Sequence, residues 1–311
     1  MTGSRQFDGV EGQLGIFART FMRDSPDAVA RAVADAGFDL VQLNLNSFGL
    51  PTIPDGDLLA STDLGAVRDA FAERGIAIWG VSVTYNTIHP DAGVRRRLTA
   101  AACQLIARVP ETGARFATLC TGTRDAGDMW RAHPANGDGS ALRDLRTTLD
   151  RLLEAATAAR VRLGIEPEPA NVIHDARTAA SLMRDLGPDA EHVAIVLDPA
   201  NLIDAATPAS QRFVLTDAFE TLADSVACIH AKDVVAGGFA EDTGRFTVEG
   251  TGRFTAAGTG VLDYDLIFEL RSQLPRAVPV VVQDVAERDA RRVRDMLTDQ
   301  LLRHPVRSDA A

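Results

Sequence analysis

Eight short runs rich in aliphatic and β-branched residues alternate with helical periodicity from one end of the chain to the other. No other feature of the sequence restricts the fold as much. The runs span residues 13–17, 40–45, 76–83, 116–120, 162–166, 193–198, 227–230 and 278–283. Most are continuously apolar, as parallel strands covered on both faces require. Helix punctuation lies between them. Ser25-Pro26-Asp27 opens one helix with proline at its first position, and Gly37 closes it. Between Ala141 and Ala159, Leu142, Leu145, Leu149, Leu152 and Leu153 recur at helical spacing. Eight strand–helix units in about 300 residues predict an α/β fold, a single (β/α)8 TIM barrel. It spans 1–311 as one domain, with an ordered core over 12–303 and a frayed polar tail at 304–311. A doubly wound Rossmann sheet competes, but no GxGxxG follows the first run.

Composition narrows the function. Hydrophobic residues make up 46% of the chain and charged residues 24%, the balance of a globular enzyme. With 32 Lys+Arg against 43 Asp+Glu, the net charge of −11 repels phosphate backbones and anionic membranes, and no basic patch offsets it. The expected partner is therefore a small molecule, with no nucleic acid and no membrane; assembly as a homo-oligomer stays open. Cys103, Cys120 and Cys228 are odd in number, far apart and set in apolar runs, with no CxxC or zinc spacing. They read as buried core thiols in a reducing compartment. The first residues carry no apolar signal segment and no run reaches membrane-spanning length, so a cytoplasmic location is expected. The glycine-rich stretch 235–260 reads as an active-site loop.

Side chains at the carboxyl ends of barrel strands converge on one pocket. Those positions hold Glu166, Asp198, His230 and Gln283, and Glu166, Asp198 and His230 are spaced 32 residues apart in turn. Two carboxylates, an imidazole and an amide suit Mn2+, Mg2+, Co2+ or Fe2+ better than a thiolate-type zinc site. An acid at a strand end serves equally well as a helix N-cap.

The segments IEPEPANVI (165–173), VLDPANL (196–202), IHAKDV (229–234) and AGTGVLDY (257–264) resemble the sugar phosphate isomerase/epimerase family, the xylose isomerase-like TIM barrels. TLCTGTRDAGDMWRAHPAN (118–136) and YNTIHPD (85–91) extend the resemblance over nearly the whole chain. It implies one divalent metal (Mn2+, Mg2+ or Co2+) held by Glu166, Asp198 and His230. The fourth ligand falls on Gln283, where the family usually has Glu. Members include ketose epimerases, aldose–ketose isomerases, dehydratases and endonuclease IV-like enzymes. The implied function is a metal-dependent isomerase or epimerase of a sugar or sugar-like polyol, working through a metal-stabilised enediolate. A lyase or hydratase on a keto-sugar and a metal-weak sugar-binding module are the alternatives. A repair nuclease fits poorly with six histidines and a charge of −11.

Other residues border the pocket. Glu168 shares the face of Glu166 if the strand continues, as ligand, hydroxyl holder or salt-bridge partner of Lys232. By resemblance, Lys232 orients substrate or polarises a carbonyl, and lysine is scarce in this chain. Asn201, where relatives have a histidine, is expected to bind a hydroxyl. His89 and His133 lie on loops within reach of a sugar hydroxyl or an acid's role, with His133 the catalytic candidate. Trp130 reads as a lid anchor and a wall against the sugar ring, closing with His133 and the 235–260 loop. Arg124 is a candidate for a substrate phosphate or carboxylate. The AGTG run offers backbone N–H groups to an anion. Gln283 takes up no proton, and alternation turns Asp284 away unless a bulge intervenes. The expectation is one-base chemistry from Glu166 or Glu168, or a rebuilt pair using Lys232, His89 or His133.

Overall fold

A computed structural model of the chain describes residues 14–203, 208–235 and 254–306. Its strands are β1 (Leu14–Phe17), β2 (Leu40–Leu43), β3 (Ala77–Ser82), β4 (Phe116–Cys120), β5 (Arg162–Glu166), β6 (Val193–Leu197), β7 (Val226–Val234), β8 (Phe254–Ala256) and β9 (Val280–Val282). Neighbours from β1 to β7 pair in parallel, β9 pairs in parallel with both β7 and β1, and the eight strands close into a barrel. Only β8 stands outside the ring, antiparallel to the end of β7 among the described residues.

Alternation along the strands makes two apolar layers. Val41, Leu43, Leu163, Ile165, Ile195 and Ile229 face the helices in the main core. Leu40, Val196, Cys228 and Val281 fill the barrel interior with Trp79, which stacks on Phe116 with centroids 4.6 Å apart. This plug occupies the lower barrel, so polar inward residues are left for the carboxyl ends.

The helices are α1 (Pro26–Asp35), α2 (Gly56–Ser61), α3 (Leu64–Ala72), α4 (Ala92–Arg108), α5 (Gly139–Ala159), α6 (Ala176–Leu186), α7 (Pro199–Leu202), α8 (Gln211–Leu222), α9 (Tyr264–Ser272) and α10 (Ala290–Arg303). Ser25 caps α1 by accepting from the Ala28 N–H, and Gly37 follows it with φ +87°. In α5 the buried stripe is Ala141, Leu145, Thr148, Leu149, Leu152, Leu153 and Ala156. Leu142 departs from the sequence pattern and is 51% exposed. The stripe meets the first turn at Ala141, from which Leu142 is rotated by about 100°.

Several strand ends differ from expectation, and two of them bear on the strand-end residues. The sixth run stops at Leu197 because Asp198 caps α7. The seventh extends four residues past His230 because Lys232, Asp233 and Val234 pair with β8. Residues 1–13, 204–207, 236–253 and 307–311 lie outside the described residues. They include most of the glycine-rich stretch, so its closure with Trp130 and His133 falls there. Among the described residues no helix is long and apolar enough to cross a membrane.

The stripe makes a direct prediction. Leu149→Ala should cost about 2–5 kcal/mol in urea unfolding, and Leu142→Ala no more than about 0.5 kcal/mol. Equal losses would contradict this packing of α5.

Candidate active site

Three adjacent strands deliver the polar cluster. Glu166 ends β5, Asp198 follows β6, and β7 presents His230 and Lys232 two residues apart on its inward face. All four are buried, at 8%, 1%, 1% and 4% exposure. His230 Nδ1 lies 3.0 Å from Glu166 Oε1, and Lys232 Nζ lies 3.1 Å from Asp198 Oδ2. Donor atoms of Glu166, Asp198 and His230 all fall within 4.8 Å of one another. Asp198 Oδ1 meanwhile accepts the Ala200 N–H at 2.9 Å. The helix-cap and site readings of this acid thus both hold, one on each oxygen.

Lys232 is the chain's only lysine; its other 31 cationic side chains of this class are arginines. Burial disfavours its charge, but the carboxylates of Asp198, Glu168, Asp284 and Glu166 outweigh that and raise its pKa. It is therefore an ammonium at neutral pH. Its Nζ also lies 3.9 Å from the centre of the Phe254 ring. Burial pushes Asp198 up to about 6 against the pull of Lys232. Burial acts on Glu166 in the same sense, but His230, Lys232 and Asn201 hold it below the ordinary carboxylate range.

Glu168 departs from the expected salt bridge, because Lys232 pairs with Asp198 instead. Strand β5 stops at Glu166, yet Glu168 is still only 6% exposed. Its side chain makes no hydrogen bond or ion pair with any described residue. Burial and the neighbouring acids push it up to about 8, with Lys232 opposing.

Holding groups surround the cluster. Asn201 donates from Nδ2 to Glu166 Oε1 at 3.3 Å and to the Pro167 carbonyl at 3.0 Å. Gln42, which sequence reasoning missed, places Oε1 2.8 Å from His230 Nε2 while its Nε2 donates to Thr118 Oγ1 at 3.1 Å. The ring thus sets one nitrogen against each partner, Nε2 on Gln42 and Nδ1 on Glu166. A lone polar residue in the buried strand LVQL was the available signal. Cys120 was read as core but belongs to the pocket, with Sγ within 4.8 Å of donor oxygens of Glu166 and Glu168. Of the other thiols, Cys228 is buried and Cys103 only half-buried.

Gln283 stands at the other edge of the imidazole from Glu166, with Nε2 3.4 Å from His230 Nε2. The chain leaves β9 at Val282, and Asp284 takes a left-handed backbone with φ +48°. Strand alternation no longer governs there, and the Asp284 carboxylate acts on both Lys232 and Glu168.

The remaining candidates serve the loops. Arg124 is bound by Asp144 at 2.7 Å and by the Ile88 carbonyl at 3.1 Å. His89 accepts the Asp91 N–H and contacts the Ala126 carbonyl at 3.2 Å, joining two loops. His133 is exposed and accepts the Ala135 N–H in its own turn. Trp130 is half-buried on the loop after β4, where its backbone N–H donates to Asp128. Side chains of Asn86, Asn136 and Asn171 hold that loop through the backbone of Thr123, Arg124 and Gly122. The N–H groups of the AGTG segment do meet an anion, but it is the protein's own. Asp233, fully buried, accepts from Val234, Gly258, Gly260 and Leu262 at 2.8–3.0 Å.

The donor set suits a divalent cation. Two carboxylates and an imidazole converge, and with Glu168 ionised the three buried acids exceed the one ammonium by two charges.

Comparison with known proteins agrees with this architecture. The family described as "Xylose isomerase-like TIM barrel" matches residues 30–274. Among solved structures, the E. coli 3-keto-D-glucoside 4-epimerase YcjR (apo form) is 15% identical with a TM-score of 0.68. The match covers 92% of this chain and 99% of that one. An L-ribulose 3-epimerase is 17% identical with a TM-score of 0.68, covering 94% and 95%. The IolI protein, described with a bound zinc atom, is 13% identical with a TM-score of 0.63, covering 94% and 99%. Curated protein sequences gave no match.

The Asp233 anchor is open to a direct check. Asp233→Ala strips the acceptor from four N–H groups and should cost at least about 3 kcal/mol. Hydrogen exchange at Gly258, Gly260 and Leu262 should speed up together. Unchanged protection of those amides would show that Asp233 is not what orders the segment.

Proposed function

The chain belongs to the xylose isomerase-like TIM barrel family, and from that premise we propose that it is an isomerase or epimerase of a sugar or sugar-like polyol. One divalent cation would be held by Glu166, Asp198 and His230. The observation that carries this reading is the buried meeting of two carboxylates, an imidazole and the chain's single lysine at the strand ends. The structural relatives named as sugar epimerases support the substrate class. When bound, a divalent ion supplies Lewis-acid polarisation of neighbouring carbonyl and hydroxyl oxygens and so acidifies the C–H between them.

The chain's own groups do the rest. Lys232, kept charged by its acidic neighbours, donates to the carbonyl oxygen on which enediolate charge develops. Asp198 fixes the ammonium, and Asn201 steadies Glu166. Glu168 is the buried acid with no partner among the described residues, placed beside Glu166 to carry a proton between neighbouring carbons. On the opposite side Gln283 offers an amide that takes up no proton. His89 and His133 are engaged in their own loops. Proton transfer therefore relies on one side, as same-face isomerisation requires. That one-sidedness also favours a second reading, a lyase on a keto-sugar, since elimination needs one base. The small-molecule partner and a cytoplasmic setting belong to the same proposal.

Incubation with Mn2+ and a panel of aldoses, ketoses and keto-sugars in D2O, followed by proton NMR, tests the reading. At least one sugar should lose its C–H signal next to the carbonyl, and Asp198→Asn, which keeps an acceptor for the Ala200 N–H, should abolish this. Sugars that stabilise the protein against heat without any exchange would instead establish a binding module. With an active sugar in hand, Glu168→Gln should lower turnover about 10²–10⁴-fold, while Mn2+ affinity changes little. An undiminished rate would remove Glu168 from the proton path.

A further inference from the structure

Cys120 ends β4 directly opposite Glu166, its register partner on β5. The strand ends gather Cys120 Sγ, a Glu166 oxygen and a Glu168 oxygen within 4.8 Å of one another. These residues are 2%, 8% and 6% exposed. Among the described residues neither Cys103 nor Cys228 joins such a cluster. Glu168 supplies a second, independent observation. It is more than nine-tenths buried, its side chain has no partner among the described residues, and its carboxylate is aimed at this cluster. Its oxygens, uncommitted among the described residues, are left to serve as ligands beside the Cys120 sulfur.

We propose that Cys120, Glu166 and Glu168 form a site for a thiophilic divalent cation of the zinc or cadmium class, which shares Glu166 with the Glu166, Asp198 and His230 set but uses neither Asp198 nor His230. Soft sulfur ligation selects zinc-class ions, whereas Mg2+ and Mn2+ prefer oxygen. Donor atoms around a tetrahedral zinc stand roughly 3.3–3.8 Å apart. Side-chain rotation of about an ångström closes the present cluster to that size. On binding, the sulfur–metal bond replaces the thiol S–H and the Glu168 oxygen gives up the proton that its raised pKa lets it carry at neutral pH; both protons leave to solvent, and no oxidant takes part. Because Glu166 is common to both donor sets, a thiophilic ion draws it away from His230 and Asp198. Its action as an inhibitor rests on the function proposed above; its binding does not.

Titration of the metal-free full-length protein with Cd2+ alone, followed by ultraviolet absorbance, decides the matter. A thiolate-to-cadmium charge-transfer band should appear with about one equivalent of Cd2+, accompanied by proton release from the thiol and from Glu168. It should persist in Cys103→Ser and Cys228→Ser and vanish in Cys120→Ser, and Mn2+ should produce none. Glu168→Gln, checked for folding by circular dichroism, should weaken Cd2+ binding at least about tenfold, which keeps the test decisive should Cys120→Ser fail to fold. No band in the wild type, a band that survives Cys120→Ser, or Cd2+ affinity unchanged by Glu168→Gln would overturn the proposal. Cd2+ held only by Glu166, Asp198 and His230 gives no thiolate band, so failure here leaves the proposed function standing.

Discussion

The ion pair between Lys232 and Asp198 lies where water scarcely reaches, and the mouth of the barrel is organised around it. Taking such charges out of water costs several kcal/mol each and is offset only by close geometry and further hydrogen bonds. The surroundings supply both. Asp198 satisfies its other oxygen at the start of α7. Lys232 has the face of Phe254 against its ammonium, and its carbonyl accepts the Tyr264 hydroxyl at 2.9 Å. The next residue, Asp233, binds the turn that leads into α9. One stretch of β7 thus places the charged centre and anchors the segment bordering it.

Charge balance then shapes the chemistry. Glu166 is compensated by His230 and Asn201, and Asp198 by Lys232. Glu168 has no such partner among the described residues, and burial pushes its pKa up to about 8. A centre with this excess of buried acid favours ligands that bring positive charge or hydroxyl protons. It disfavours phosphates, for which the one cation among the described residues of the cluster already has a carboxylate partner. Arg124, the other candidate for an anion, is held by Asp144.

The walls are built for fixed placement. Asparagine side chains tie the loop after β4 to the loops after β3 and β5. At Gly122 a Cβ would lie 2.3 Å from the Asn86 side-chain oxygen, and φ is +70°, so this crossing admits only glycine. His89 joins the same loops from outside. His89 and Arg124, two of the residues expected to handle substrate, thus also tie the rim together around the strand ends.

The sequence by itself determined the barrel and the positions of Glu166, Asp198, His230 and Lys232. Strand periodicity and strand-end position are local properties, and in a closed parallel barrel they suffice to say which side chains converge. Partner choice is another matter, because it depends on ångström distances between strands far apart in sequence. Only the tertiary structure paired Lys232 with Asp198 rather than Glu168 and set Gln42 behind His230. It also moved Cys120 from core to pocket and directed the AGTG amides to Asp233. Asp284 was beyond strand rules altogether, since the chain leaves β9 at Val282 and turns through a left-handed residue. Period-two alternation holds only while the backbone stays extended, and past the strand ends the packing of neighbouring elements decides where each side chain goes.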